Sequence, residues 1–366
     1  MAGSGFGTNF RITTWGETHG AGVGVVVDGC PAGLPLERED VQKYLDRRKP
    51  GQSKYTTQRK EGDQVEILSG IFEGRTTGTP ISMVVYNKDQ RSKDYSNIKD
   101  IYRPGHADFT FDMKYGFRDY RGGGRSSGRE TIGRVAAGAV AAKVLKELGI
   151  EIKAYAKAIA GIEVSKDHFD FAEMNNNPFN MPDKEAAKLV QEKADQMIKE
   201  MDSIGGIIEC QITGMPVGIG ETVFDKLDAE LSKAIMSIGS VKGFEIGDGF
   251  EAANLRGSEN NDDFICVDGK VEKETNHSGG VLGGMSDGSA IVFRAAIKPT
   301  PSIAQTQKTV NRDLDNVEIK IHGRHDPMIV PRAVVVVESM AAVTILDGVL
   351  KNLGATMDNI KKIYGE

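Results

Sequence analysis

One apolar helix constrains the fold of this chain more than any other part of its sequence. Residues 130–148, ETIGRVAAGAVAAKVLKEL, are rich in alanine, valine and leucine, and Gly149 is placed to end the helix. A helix that is apolar on every side has to be buried on every side. Residues 334–353 are equally apolar; they begin like a strand but have helical length, and we predict a helix. Together the two segments hint at two similar halves.

Local patterns place further elements between and around these helices. Alternating and β-branched residues predict strands at 10–14, 23–27, 64–68, 81–86, 207–212 and 290–297. Charge at the ends and helical spacing of apolar residues predict helices at 34–48, 184–201 and 224–238, the second on the surface. The polar stretches 165–185 and 256–278 are expected to be long surface loops of one compact domain. This interleaving favours an α/β or an α+β fold.

The distribution of charge indicates what kind of ligand the chain binds. The net charge is −6, which argues against a general nucleic-acid binder. Residues 47–60 nevertheless carry six cations and no acid, and residues 118–134 carry five arginines against two acids. An acidic chain with cations concentrated in glycine-rich stretches is expected to bind a compact anion.

The cysteines and the apolar runs indicate the cellular compartment in which the protein is expected to work. Cys30, Cys210 and Cys266 are far apart, so neither a disulfide framework nor a metal-binding spacing is suggested, and we expect no metal. A reducing, cytoplasmic setting fits best. No basic segment leads into an apolar run near the N-terminus, and eighteen apolar residues nowhere occur together. We therefore expect neither secretion nor membrane insertion.

The segment RGGGRSS, residues 121–127, is the strongest candidate for an anion-binding loop. Its glycines let backbone amides approach a ligand, and the helix that follows offers the positive end of its dipole. The alternative is a simple turn with solvated arginines. The glycine patterns GSGFG and GAGVG lack the spacing of a dinucleotide fingerprint, and the P-loop pattern does not occur.

Histidines in glycine-rich loops are candidates for acid–base work, although a lone histidine is more often structural. All six except His168 have a glycine within three residues; these are His19, His106, His277, His322 and His325. Asp326 follows Arg324 and His325, which favour its ionised form if they face it, but it is equally placed as a turn acid before Pro327.

The segment KPTPS, residues 298–302, follows a predicted strand. Its lysine and hydroxyl groups suit a phosphate or the edge of a flavin ring. Alternatively, the two prolines simply end the strand.

Eight motifs, taken in order, closely resemble the chorismate synthase family. They are TTWGETHG, LDRRKPGQSKYTTQR, LSGIFEGRTTGTPI, RPGHADFTFDMKYGFRDYRGGGRSSGRETIGRVAAGAV, VKGFEIGDGF, NHSGGVLGGMSDG, KPTPSI and GRHDP, and they span nearly the whole chain. The resemblance implies a lyase that converts 5-enolpyruvylshikimate 3-phosphate to chorismate and phosphate by anti-1,4-elimination. This reaction, the last step of the shikimate pathway to aromatic amino acids, needs reduced FMN (FMNH2) without net redox change.

The resemblance also implies an architecture and a setting. The fold is expected to be α+β, a layered β-α-β sandwich of antiparallel sheets around a central helical layer, with residues 1–366 forming a single compact domain. A homotetramer in the cytoplasm is expected. Arginine suits a site for this substrate, which carries a phosphate and two carboxylates, because its guanidinium stays charged and grips such groups bidentately.

The resemblance carries over site residues one position at a time. Substrate contacts fall on Thr18, Arg48, Lys54, Arg103, Ser127, Arg129 and Arg324. Flavin contacts fall on Arg125, Ser126, Ser127, Gly239, Ser240, Gly283, Lys298, Pro299, Thr300, Pro301, Ser302 and Arg324. Lys54 stands where many relatives have arginine, Thr18 where they often have serine, and Gly239 with Ser240 where some have Asn-Ala.

Three residues receive catalytic roles from the resemblance. His19 resembles the histidine that protonates the departing phosphate, and His106 the one that protonates the reduced flavin. Asp326 would work with the flavin to remove the C6 proton of the substrate. The flavin is expected to lend an electron as the C–O bond breaks and to take it back.

Two other classes of function are weighed against this one. A flavin-dependent oxidoreductase would use the same cationic pocket for net hydride transfer. An RNA-binding protein would use RGGGR as an RGG segment, but the triplet is single and adjoins a helix in an acidic chain. Some relatives reduce their own flavin with NADPH; without a nucleotide fingerprint or extra domain, we expect this chain to depend on an external reductant.

Overall fold

Two five-stranded antiparallel sheets enclose a layer of helices. The computed structural model describes residues 3–56, 62–88, 99–321 and 326–365. The first sheet has the order β1-β2-β3-β7-β4. Its strands are β1 (Gly5–Phe6), β2 (Arg11–Gly16), β3 (Gly22–Asp28), β4 (Val65–Ile67) and β7 (Ile81–Tyr86). A small hairpin of β5 (Ile71–Phe72) and β6 (Arg75–Thr76) precedes β7.

The second sheet has the order β9-β8-β10-β16-β11. Its strands are β8 (Glu151–Ile159), β9 (Ile162–Glu163), β10 (Gly206–Thr213), β11 (Val241–Ile246) and β16 (Ile291–Ile297). Three hairpins complete the strands: β12 (Phe264–Val267) with β13 (Lys270–Lys273), β14 (Val281–Leu282) with β15 (Met285–Ser286), and β17 (Thr306–Val310) with β18 (Asn316–Lys320).

Two long helices form the central layer, α3 (Thr131–Glu147) and α7 (Val330–Lys351). They cross where Gly138 meets Ser339 so closely that a β-carbon on Gly138 would overlap the serine. On the outer side α3 packs on the first sheet, where Gly133 approaches Gly24, and α7 packs on the second, where Glu338 accepts a hydrogen bond from the amide of Ala154. Both helices are buried nearly all round, as their composition predicted.

The other helices are α1 (Arg38–Arg48), α2 (Asp108–Tyr115), α4 (Lys184–Glu200), α5 (Leu227–Met236), α6 (Gly257–Asn260) and α8 (Met357–Tyr364). Helix α4 lies on the surface as expected, with Asp183 capping its first amides. Helix α7 is long and apolar enough to cross a membrane, but here it is a core helix between the sheets. The fold is therefore the expected α+β sandwich.

The predicted strands and helices are confirmed, with shifted ends. The four hairpins, the short edge strands β1 and β9, and two strands of six or more residues, β8 and β11, were not predicted. Strand β8 reads EIKAYAKAI, whose alanines and charges are untypical of strands, and pairing with β10 along its whole length overrides that preference. Strand β11 contains Gly243 at an irregular register. Both strands form because a neighbouring strand needs hydrogen-bond partners.

The two polar stretches are more ordered than the loops predicted for them. Residues 165–185 contain 3₁₀ turns and contribute Phe179 and Met181, both fully buried, to the core. Residues 256–278 contain α6 and the β12–β13 hairpin. Predicted helix 34–48 begins only at Arg38, because Pro35 bridges to Arg75 in extended conformation.

Candidate functional site

A cavity of about 620 Å³ lies where α3 and α7 begin. Seven cationic residues contribute to its wall: Arg48, Arg103, Arg118, Arg125, Arg134, Lys298 and Arg332. Five acids also line it: Glu17, Asp108, Asp119, Glu130 and Asp326. Most of these charges come from loops and helix ends rather than from the sheets, and their concentration in one concave space fits an anionic ligand.

Both central helices direct their N-terminal ends at this cavity. Gly128 and Thr131 line it at the start of α3, and Ile329 and Ala333 line it at the start of α7. The first amides of a helix lack partners within the helix, and the helix dipole places partial positive charge there. Two such ends in one cavity add to the attraction for an anion without adding a formal charge.

The glycine–arginine loop, residues 121–127, forms one wall of the cavity. Gly122 and Gly124 adopt positive φ values of 118° and 51°, a conformation that side chains disfavour. The guanidinium of Arg125 points back at strand β2, donating to the carbonyl oxygens of Gly16 and Thr14, each at 3.1 Å. Its charge therefore fixes the loop to the sheet, and the backbone and hydroxyl groups of residues 125–127 are left to face the cavity.

A second wall is built around Arg103. Its guanidinium and backbone amide all donate to Asp108, the two guanidinium contacts at 2.8 Å each. The pair is almost fully buried. Burial alone would raise the pKa of Asp108, but hydrogen bonds and charge from Arg103 hold it below its ordinary value. Arg103 is thus fixed in one orientation at the cavity.

His106 lies at the same wall with both ring nitrogens engaged. Nδ1 is 3.0 Å from the carbonyl oxygen of Pro104, which only accepts, so Nδ1 carries a proton. Nε2 is 2.8 Å from Oγ of Ser302 and, in the neutral ring, accepts from that hydroxyl. Burial, with the positive charge of Arg103 and Lys298, lowers the pKa of His106, so the ring is neutral at pH 7.

Asp326 is joined to the arginine at the end of α1 through Arg332. Nη1 of Arg332 donates to Oδ2 of Asp326 at 2.7 Å, and Nε donates to the carbonyl oxygen of Arg48 at 3.0 Å. Arg332 leaves about 18% of its side chain exposed. Burial lowers its pKa, and the carboxylate of Asp326 opposes that shift. Arg324, assigned to both substrate and flavin, lies outside the described residues together with His322 and His325.

Arg48 and Arg129 meet behind the cavity wall at one acid. Both donate to the carboxylate of Asp63, whose side chain has no exposed surface. The Nε of Arg48 is buried without a hydrogen-bond partner among residues 3–56, 62–88, 99–321 and 326–365. Arg129 also donates to Asn87. Arg48 lines the cavity directly, whereas Arg129 stands one layer behind it.

The segment assigned to the flavin forms the remaining wall. Lys298, Thr300, Pro301 and Ser302 line the cavity beside Gly239 and Ser240. Ser240 has a left-handed φ of 74°, and its carbonyl oxygen accepts from the amide of Lys298 at 2.9 Å. Oγ1 of Thr300 is buried and has no partner in the described part of the chain.

The remaining assigned residues lie beside or away from the cavity. Thr18 donates to the carbonyl oxygen of Gly124 at 3.3 Å, and His19 follows it in the β2–β3 turn, next to the glycine–arginine loop. Lys54 is exposed and paired with Asp195 of α4 at 2.9 Å. Gly283 forms the turn of the β14–β15 hairpin and does not line the cavity. Neither does Pro299.

Several residues that were assigned no role from the sequence belong to the site, including Asp63, Arg134 and Arg332. Asp63 is the shared acid, and Arg134 and Arg332 occupy the first turns of the two central helices. A sequence signal for the arginines does exist, because Arg134 follows Ile-Gly and Arg332 follows Val-Pro at equivalent helix starts. Asp63 has no comparable signal, since a buried acid can be recognised only with its partners.

Comparisons with known proteins agree with one another. The family model for chorismate synthase matches residues 10–350. A chorismate synthase of Lachnospira eligens is 68% identical over 100% of both chains. One from Methanococcoides burtonii is 56% identical, covering 96% of this chain and 97% of its own. A crystal structure of a chorismate synthase, 31% identical, superposes with a TM-score of 0.77 over 98% of this chain and 96% of that one.

Proposed function

This chain belongs to the chorismate synthase family of shikimate-pathway lyases, and we propose that it converts 5-enolpyruvylshikimate 3-phosphate to chorismate and phosphate with reduced FMN. One observation supports this most: a cavity of about 620 Å³ with seven cationic residues and two helix N-termini. Substrate and reduced flavin together bring a phosphate, two carboxylates, a second phosphate and an anionic ring. That load of negative charge matches the cavity.

The residues present fit a flavin mononucleotide. The backbone of residues 125–127, the turn at Gly239–Ser240 and the segment from Lys298 to Ser302 surround one side of the cavity. Oγ1 of Thr300 is a buried group for which the described residues supply no partner. An unsatisfied buried hydroxyl is costly unless a ligand completes it. When bound there, reduced FMN supplies the electron-rich ring that makes loss of the allylic phosphate possible.

The other side of the cavity suits the substrate. Arg48 and Arg103 are buried. Asp63 holds Arg48 and Asp108 holds Arg103 in orientations that can bind carboxylate or phosphate oxygens. Arg129 supports this end from behind, and Ser127 presents its hydroxyl near the start of α3. Lys54 contributes less, because its ammonium is exposed and paired with Asp195.

We assign the proton transfers to three side chains. His19, in the β2–β3 turn, gives a proton to the departing phosphate. Asp326 accepts the C6 proton of the substrate, while Arg332 holds one of its oxygens. His106 is neutral in the unliganded protein, because burial and two cations lower its pKa. A bound anion offsets those cations and favours the protonated ring, which then holds a proton at the flavin.

An anaerobic assay with photoreduced FMN tests the reaction class. We expect one phosphate released per chorismate formed, with the flavin still reduced at the end. Oxidised flavin in proportion to product would indicate net hydride transfer instead. RNA retained on a filter at physiological salt would point to the third class. The same assay with oxidised FMN and NADPH checks the reductant: we expect no turnover until an external reductant is added.

Two further properties are proposed from family membership. The chain assembles as a homotetramer and works in the cytoplasm. Sedimentation equilibrium tests the first, and a monomer at micromolar concentration would contradict it.

A further inference from the structure

A single buried carboxylate holds two arginines that we assign to the substrate. Oδ2 of Asp63 accepts from Arg48, and Oδ1 accepts from Nη1 of Arg129 at 2.9 Å. Asp63 does not line the cavity itself. We propose that Asp63 is a positioning residue, which sets the guanidinium group of Arg48 for the anionic groups of the substrate and holds Arg129 behind it. This role rests on the proposed function.

The backbone around Asp63 is fixed by the helix that carries Arg48. Nε2 of Gln42, on α1, donates to the carbonyl oxygen of Asp63 at 3.2 Å, and Oε1 of Gln42 accepts from the amide of Val65 at 3.0 Å. Asp63 itself has a φ of 42°, in the left-handed region that aspartate tolerates better than most residues. Gln42 thus fixes the backbone at and after Asp63, and with it the position from which the carboxylate contacts the arginines.

The two arginines come from elements far apart in the chain. Arg48 ends α1, and Arg129 stands just before α3. Without a common partner, two buried guanidinium groups at this place would repel each other. Asp63 removes that repulsion and ties the end of one helix to the start of the other. Asp63 therefore contributes directly to the geometry of the substrate end.

The ionised carboxylate and one guanidinium nitrogen define the electrostatics at this point. One carboxylate faces two guanidinium groups, and burial is outweighed by both arginines, so that the pKa of Asp63 stays below its ordinary value. The buried Nε of Arg48 has no hydrogen-bond partner among the described residues. A phosphate or carboxylate at the adjoining cavity supplies the missing acceptor.

Asp63→Asn tests the proposal, because it keeps the size of the side chain and removes its charge. We expect the KM for 5-enolpyruvylshikimate 3-phosphate to rise at least tenfold, with kcat within threefold of wild type. Calorimetric titration of the same compound without flavin should show an equal loss of affinity. The KM penalties of Asp63→Asn and Arg48→Ala should not multiply in the double variant; a shortfall of at least threefold is expected.

Glu338→Gln is a matched control. Glu338 is a buried acid paired with Arg47, the residue next to Arg48 on the same helix, but it does not line the cavity. The Glu338→Gln variant should have a lower free energy of unfolding than wild type and a KM for the substrate within twofold of wild type. If Asp63→Asn does not fold, Asp63→Glu retains the charge one methylene further out and should show the same selective rise in KM.

The possible failures are distinguishable. An Asp63 variant that folds and has wild-type KM and substrate affinity overturns the positioning role while the proposed function stands. Independent, multiplying penalties with Arg48→Ala overturn it too. A wild-type protein that releases no phosphate from this substrate overturns the proposed function itself.

Discussion

The two halves of the molecule, residues 5–147 and 149–351, have the same architecture but supply different things to the cavity. Each half has a five-stranded sheet with strands in equivalent order, a helix before its fourth strand, a small hairpin before its last long strand and a central helix. The helix ends α1 and α5, and the helix starts α3 and α7, all meet at one cavity. A repeated scaffold thus brings two positive helix ends together.

The likeness extends to single hydrogen bonds. In the first half, Oγ1 of Thr76 donates to the carbonyl oxygen of Pro31 at 2.6 Å and accepts from the amide of Leu34 at 3.0 Å. In the second half, Oγ of Ser286 donates to the carbonyl oxygen of Pro216 at 2.5 Å and accepts from the amide of Ile219 at 3.0 Å. The segments PAGL, residues 31–34, and PVGI, residues 216–219, are therefore held by the same hydroxyl contacts at equivalent turns.

The halves differ in where they carry extra chain. The first half has the basic stretch 47–60, of which Arg48 lines the cavity, and the glycine–arginine loop before α3, which lines it as well. In the second half, α5 is followed by a short turn, and the long excursion at 247–280 contributes no residue to the cavity wall. Binding charge comes chiefly from the first half. The proposed base, Asp326, comes from the second.

The variant with the largest expected effect tests whether the second half supplies the catalytic base. Asp326→Asn keeps the shape of the side chain and removes its charge, so kcat should fall by about 10² to 10⁴ while FMN and substrate bind within a few-fold of wild type. Steady-state kinetics with substrate deuterated at C6 measures the change, and the isotope effect should increase. A kcat within threefold of wild type and an unchanged isotope effect would leave Asp326 with a structural role only.

A second prediction concerns the excursion of the second half. Nζ of Lys273 is buried between Asp262, at 3.1 Å, and Asp287, at 2.7 Å. Lys273→Met leaves two buried carboxylates without their cation, and we expect a loss of about 3 to 5 kcal/mol in the free energy of unfolding. Urea denaturation measures it, with the exposed Lys270→Met as control. A loss no larger than that of the control would mean that other contacts hold the excursion.

The equivalent hydroxyl groups offer a direct test of the repeat. Thr76→Val and Ser286→Ala each leave a buried amide, that of Leu34 or Ile219, without its acceptor, which costs about 1 to 3 kcal/mol. Because the contacts match, the two variants should lose similar stability in urea denaturation. A difference larger than 2 kcal/mol would show that the repeat is geometric only, with different energetic weight in each half.

The smallest effect concerns the contact between halves at His106 and Ser302. The pKa of His106 is lowered from 6.5, so below about pH 6.5 the unfolded chain takes up a proton that the folded protein resists. The free energy of unfolding therefore falls as pH decreases, by at most about 1.4 kcal/mol per pH unit for this group. His106→Asn should lose less stability than wild type between pH 7 and pH 5.5. Parallel pH profiles would contradict the lowered pKa.

Much of the scaffold was determined by the sequence itself. The apolar composition of α3 and α7 dictated burial, alternation indicated strands such as β3 and β7, and the spacing of apolar residues indicated α4. These signals are local, because periodicity and helix caps depend on residues a few positions apart. The eight motifs also led to the family, and with it the α+β layers.

The tertiary structure alone decided how distant residues share the site. It placed the starts of α3 and α7 in one cavity, turned the guanidinium of Arg125 toward strand β2, and paired Asp63 with Arg48 and Arg129. Strand β8 likewise exists because of its partner rather than its own residues. The reason is physical: a buried charge or an unpaired strand edge is stable only beside its partner, and the chain topology, which no local pattern encodes, determines which partner arrives.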